Sequence, residues 1–284
     1  MLSAATLLAL TTLGLWSFLA YLAAELHMVP PLVLTGMALT LSGLLGLWRW
    51  REWRVPPRTL AVGVYGLFGY HFLFFAALHY APPVEINLLN YLWPLGIVML
   101  SPVFLPGYTL RRNHILGALL GLSGAALIVS GGKLNLEVRY LPGYLMAAAA
   151  AFVWASYSLL TRRVPHFSSS AVGAFCLTSG LLALGGAALL GEWQAMPWGA
   201  LSLREWGLLA LTGIGPLGVA FYTWDAALKR GDPRLIGALA YLTPLASTLN
   251  LTLLGGRPLP WYAGIAMLLI IGGAVLGSRE PAAR

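Results

Sequence analysis

Six stretches of this chain carry no Asp, Glu, Lys or Arg: residues 59–84, 86–110, 140–161, 164–191, 235–256 and 258–278. Each is long enough to cross a bilayer, which takes about 20 apolar residues in a helix. Only 9% of the 284 residues are charged, against about 25% in a typical soluble domain. A soluble globular fold and a disordered chain are therefore excluded. Outer-membrane barrels alternate apolar and polar residues in segments of ~10, and that pattern is missing here. The expectation is an all-α integral membrane protein.

Ten spans fit the charge map: residues 3–24, 31–48, 59–79, 84–105, 114–131, 141–161, 168–190, 206–228, 235–254 and 261–278. Loops are short and punctuated by Pro and Gly, as at Pro30-Pro31, Pro56-Pro57, Pro82-Pro83, Pro106-Gly107 and Gly255-Gly256. The N-terminus lacks a basic leader and its apolar run is too long for a signal peptide, so it reads as a retained first span. One cysteine, Cys176, allows no intramolecular disulfide and no Cys-based metal site.

Lys and Arg divide unevenly between alternate loops. One side holds Arg49, Arg51, Arg54, Arg58, Arg111, Arg112, Arg162, Arg163, Lys229, Arg230, Arg234, Arg279 and Arg284; the other holds Lys133, Arg139, Arg204 and Arg257. The positive-inside rule puts the first set and both termini in the cytoplasm. It also accounts for the net charge of +8 without a nucleic-acid partner.

The chain repeats itself. Residues 77–95 align with 227–245 at an offset of 150, with nine identities in nineteen positions, among them Pro83/Pro233, Tyr91/Tyr241 and Pro94/Pro244. Ser42-Gly43-Leu44-Leu45 recurs as Ser179-Gly180-Leu181-Leu182, and Trp16 falls opposite Trp154. The expectation is two five-span units, residues 1–132 and 141–284. Five is odd, so the second unit inserts upside down. Inverted repeats mark secondary transporters, with a substrate site between the repeats near the midplane. A channel is the weaker reading, because no filter-like motif is visible. An integral membrane enzyme is weaker still: the cytoplasmic loops hold only Glu52, His114, His166, Asp232 and Glu280, spread over five segments. No nucleotide loop, zinc helix or other cofactor motif is present.

Ten spans arranged five plus five resemble the EamA family of the drug/metabolite transporter superfamily. Gly69-Tyr70-His71-Phe72, with Asn87-Leu88-Leu89-Asn90-Tyr91-Leu92-Trp93-Pro94, is similar to the aromatic amino acid exporters within it. The resemblance implies a basket-like bundle with a central cavity, lined mainly by spans 1, 3, 4, 6, 8 and 9. It also implies a bacterial inner membrane and export of aromatic amino acids, and of flat compounds such as methyl viologen. Other members export different metabolites or drugs. The implied partners are the bilayer and a small-molecule substrate, with no obligate protein partner.

The candidate site residues are the polar and aromatic groups at membrane depth. His71 can donate and accept, which suits substrate contact or gating, or simply a bond to a neighbouring helix. Tyr70 lies about 100° around the helix from it. Asn87, Asn90, Tyr91 and Pro94 share one face, which must look into the protein. Its carboxamides can bind both ends of a zwitterion or join helices. Trp93 lies beside that face. Trp154, Tyr157 and Ser158 form another face, and with Trp16 they offer aromatic walls or plain packing. Pro94 and Pro244, repeat-related, are candidate hinges. Asp225 reads as an i,i+4 partner of Lys229, and Glu25 and Glu85 as solvated loop charges.

Overall fold

The computed structural model describes residues 2–133, 136–256 and 258–278. Arg257, Arg279, Glu280 and Arg284 lie outside the described residues. The described chain is helical throughout. Nine spans are long and apolar enough to cross a membrane: α1 (Ala4–Glu25), α2 (Pro31–Trp53), α3 (Pro57–Leu78), α4 (Pro83–Phe104), α5 (Arg112–Ser130), α6 (Val138–Leu160), α7 (Ser169–Leu189), α8 (Leu203–Arg230) and α9 (Pro233–Leu253). A tenth, α10 (Ala263–Ser278), has 16 residues, or about 24 Å at 1.5 Å per residue. Its neighbours α5 and α9 are longer.

Local chemistry sets the helix boundaries. Pro31, Pro57, Pro83 and Pro233 each open a helix at its first turn, where the missing N–H has no partner to lose. Ser202 and Glu205 cap α8 reciprocally. Gly131, at φ 60°, closes α5 in the left-handed region that favours glycine. A 3₁₀ turn, Gly46–Trp53, carries α2 beyond the expected end at residue 48.

Besides a break in α1 at Ser17 and Phe18, four spans are interrupted in two matched pairs. Tyr65–Gly69 in α3 and Gly215–Val219 in α8 are π-helical, and they lie 150 residues apart. Pro216 cannot donate to the carbonyl four residues back, which favours the wider turn there. In α4 and α9 the breaks fall at Tyr91 and Tyr241, also 150 apart. Pro94 and Pro244 lie three residues further on, in the first turn of the continuing helix. Each removes the donor that Asn90 or Ala240 would have received, so the helix yields just before the proline.

Helices pack mainly across the two halves. α5 meets α10, α2 meets α7, α4 meets α9, α1 meets α8 and α3 meets α6. Small residues permit the closest of these approaches, as expected where lipid removes the hydrophobic drive between helices. A Cβ on Gly117 would sit 2.5 Å from the Gly273 carbonyl, and one on Gly273 equally close to the Gly117 carbonyl. The repeated Ser-Gly-Leu-Leu motif does the same for α2 and α7: a Cβ on Gly43 would lie 2.8 Å from the Leu177 N, and one on Gly180 2.6 Å from the Thr40 N. Leu189, Leu203, Leu253 and Leu268 project from the outer face of the bundle.

Candidate substrate cavity

The interruptions shape the centre of the bundle. A π-turn disturbs the regular pairing of helical carbonyls, and in each half a carbonyl within the turn also meets a ring nitrogen. His71 Nδ1 lies 2.6 Å from the Leu67 carbonyl. A carbonyl only accepts, so Nδ1 carries the proton and Nε2 is left to bond elsewhere. Trp16 Nε1 donates to the Pro216 carbonyl at 3.1 Å.

Trp16 is the hub of an aromatic cluster. Its ring centroid lies 5.1 Å from Trp224, 5.7 Å from Trp154, 6.0 Å from Trp93 and 6.2 Å from Phe221. These edge-on and tilted contacts suit rings whose faces are negative and edges positive. All of these rings but Trp224 floor a cavity of about 480 Å³, within the range of small-molecule sites. From mid-span the cavity reaches Leu26, Leu78 and Pro83, at the charge-poor end of the bundle.

Eight of the expected residues line it: Trp16, Tyr70, His71, Asn87, Asn90, Tyr91, Trp93 and Trp154. Tyr70 and His71 both reach it despite their angular offset. Asn90 Nδ2 donates to the Tyr70 hydroxyl at 3.0 Å, and Asn87 Nδ2 to the Pro83 carbonyl at 2.9 Å. Tyr157 and Ser158 are buried and are not among the lining residues. Ser158 Oγ accepts from Trp224 Nε1 at 3.1 Å, and the Tyr157 ring lies 5.4 Å from Trp154. The face they share with Trp154 turns towards the arginine-rich end. Pro94 and Pro244 sit at the helix breaks and not on the wall.

Sequence reading missed Thr35, Phe74, Phe75, Thr212, Phe221, Thr243 and Ser247, which also line the cavity. Two of these had a signal: Phe221 is His71 plus 150, and Thr243 is Trp93 plus 150. None of the lining residues is Asp, Glu, Lys or Arg. Three wall atoms are buried with no hydrogen-bond partner among the described residues: Thr35 Oγ1, Asn90 Oδ1 and Thr243 Oγ1. Buried polar atoms ordinarily find partners, so the wall offers bonds to a guest or to water.

Below the aromatic floor, the arginine-rich end is closed. Lys229 Nζ reaches Asp225 Oδ2 at 2.7 Å, as the i,i+4 spacing suggested, and the Phe167 carbonyl at 2.9 Å. Ser169 Oγ donates to the same Asp225 oxygen at 2.5 Å. Arg162 bonds the Gly231 carbonyl and Arg234 the Thr109 carbonyl, while both guanidinium groups stack on Tyr108. Burial pushes the Asp232 carboxyl up, but the Arg234 hydrogen bonds outweigh this and hold it below the usual range. Of the two acids expected to be solvated loop charges, Glu25 stays partly exposed and Glu85 does not. Glu25 pairs with Arg204 at 2.6 Å. Glu85 is buried, with Oε2 unpartnered among the described residues, because its helix packs against α6 and α5.

Comparison with known proteins agrees with this architecture. An aromatic amino acid exporter, YddG, from Ancylobacter novellus is 42% identical over 97% of both chains. The exporter of that name from Salmonella typhimurium is 27% identical over 96% of both. A solved crystal structure, 40% identical, superposes with a TM-score of 0.88 over 98% of this chain and 97% of that one. The model of the EamA-like transporter family matches twice, at residues 3–130 and 141–279. On these grounds the protein is a multi-pass membrane transporter, and the chain belongs to the EamA-like transporter family.

Proposed function

We propose that the chain exports aromatic amino acids across a bacterial inner membrane by alternating access, with both termini in the cytoplasm. The observation that carries the substrate reading is the amphipathic cavity. Its floor is Trp16, Trp93, Trp154 and Phe221, and its wall is uncharged but rich in hydrogen-bonding groups. An aromatic amino acid matches both. Its ring gains ~0.5–1.5 kcal/mol per well-placed aromatic contact, and its zwitterion carries no net charge to neutralise in a desolvated site. The names of the 42% and 27% identical relatives support the same class.

The mechanism rests on two inverted five-helix repeats, residues 1–132 and 141–284. Their support is the pairing of like helices: α2 with α7, α5 with α10, α4 with α9, and the reciprocal α1–α8 and α3–α6 contacts. That is the pattern a two-fold axis produces. Pro94 and Pro244 would let α4 and α9 flex at Tyr91 and Tyr241. The thirteen-to-four split of Lys and Arg supports the orientation, so the cavity faces outward.

Flux into proteoliposomes, with labelled phenylalanine, tryptophan, alanine, lysine and glutamate, tests the reading. Saturable phenylalanine and tryptophan flux, well above that of lysine and glutamate, is expected. Absence of aromatic flux overturns it. Methyl viologen belongs in the panel because the three tryptophans of the floor can hold a flat cation by cation–π attraction; the absence of an acid from the wall argues against that ligand.

A further inference from the structure

The matched interruptions fix the register between the halves closely enough to name the walls of a cavity that this conformation hides. α3 and α8 correspond at an offset of 150, as the π-turns at Tyr65–Gly69 and Gly215–Val219 require. α1 and α6 correspond through Trp16 and Trp154. Across the centre, related residues touch each other: Trp16 meets Trp154 at 5.7 Å, and His71 meets Phe221 at 6.1 Å. On one side of that centre, Leu19, Ala20, Phe74 and Phe75 line the open cavity. Their counterparts Tyr157, Ser158, Trp224 and Asp225 are buried on the other side, each no more than 2% exposed.

In an inverted-repeat transporter, each half takes up the other's conformation when access alternates. The four buried counterparts then become wall. Three exchanges change little in charge. The fourth puts a carboxylate where the outward cavity has Phe75. Lys229 and Ser169 hold Asp225 through Oδ2 alone, and Oδ1 is buried with no partner among the described residues.

We propose that Asp225 Oδ1 receives the ammonium of the amino acid in the inward-facing state, making Asp225 a cytoplasmic capture site absent from the outward cavity. This rests on the export reading above. An ammonium supplies the donor the orphan oxygen lacks, and the bond is charge-assisted. Phe75 offers no such bond on the outer side, so the substrate is held more tightly where it is collected than where it is released. The asymmetry sets the KM at each face; it does not supply energy for uphill transport.

The test measures each face separately. In oriented proteoliposomes, Asp225→Asn, which keeps an oxygen for Lys229, should raise the cytoplasmic KM for phenylalanine about tenfold or more. The outer KM should stay within twofold. A second measurement leaves Asp225 intact. In a Cys176→Ala background, Ser158→Cys should react with an impermeant thiol reagent from the cytoplasmic side, and Ala20→Cys from the outer side. Phenylalanine should slow labelling at Ser158→Cys, and N-acetylphenylalanine, which keeps the ring but lacks the ammonium, should not. An unchanged cytoplasmic KM, equal protection by both compounds, or no cytoplasmic labelling of Ser158→Cys in a transporting protein overturns the proposal alone. Wild-type protein that moves no aromatic amino acid overturns the substrate reading beneath it.

Discussion

Trp16 and Trp154 are 138 residues apart and occupy corresponding places in the two halves, yet their rings meet at 5.7 Å. The indole N–H of Trp16 donates to the Pro216 carbonyl, within the π-turn of α8. The centre of the bundle is thus built by residues of one half locked onto the backbone of the other. An indole fixed in this way presents a flat face at little further cost in entropy.

That arrangement predicts graded losses at the floor. Trp93→Phe and Trp154→Phe should each raise the KM for phenylalanine or tryptophan roughly two- to tenfold, the equivalent of one lost ring contact of ~0.5–1.5 kcal/mol. Trp198→Phe, in the Trp193–Trp198–Trp206 cluster at the charge-poor end, should leave KM unchanged. The measurement is concentration-dependent flux at matched protein levels. Wild-type KM in both floor variants would move the site elsewhere.

At His71 the outcome should depend on hydrogen bonding rather than size. His71→Leu loses both the bond to Leu67 and the free Nε2, and flux should fall about tenfold or more. Insertion should survive, because an apolar side chain is cheaper at membrane depth than imidazole. His71→Gln, which keeps a donor and an acceptor, should recover part of the rate. Leu and wild type transporting alike would leave His71 a packing residue.

Orientation can be read with two exposed loop positions. In a protein whose Cys176 is replaced, Gly199→Cys should be labelled from outside intact cells and His166→Cys only after permeabilisation. Both positions are exposed, at opposite ends of the bundle. The reverse pattern would invert the topology.

The repeated glycines carry a stability prediction. Gly180→Ala forces a methyl to within 2.6 Å of backbone in α2, whereas Gly185→Ala meets nothing within 4 Å. Overpacking costs about 1–3 kcal/mol, so the melting temperature in detergent should drop by several degrees for Gly180→Ala relative to Gly185→Ala. Equal melting of the two variants would mean that α2 and α7 do not pack this tightly.

The sequence by itself determined the spans, because a bilayer admits only long uncharged helices, and charge is legible residue by residue. It determined the breaks before Pro94 and Pro244 for a similar reason: a missing N–H is a local fact. The spacing of Asn87, Asn90 and Tyr91 also revealed a wall, since carboxamides cannot face lipid. Tertiary structure decided the rest. Tyr157 and Ser158 share a face with Trp154 and still lie outside the cavity, because what a helical face meets depends on how deep its partners sit. Glu85 is near a span end and yet buried, since the packing of α4 on α5 and α6 is not written in its neighbours. Thr35 entered the wall for the same reason. A lone hydroxyl has no pattern of its own, and only the meeting of helices far apart in sequence shows that its oxygen has been left without a partner.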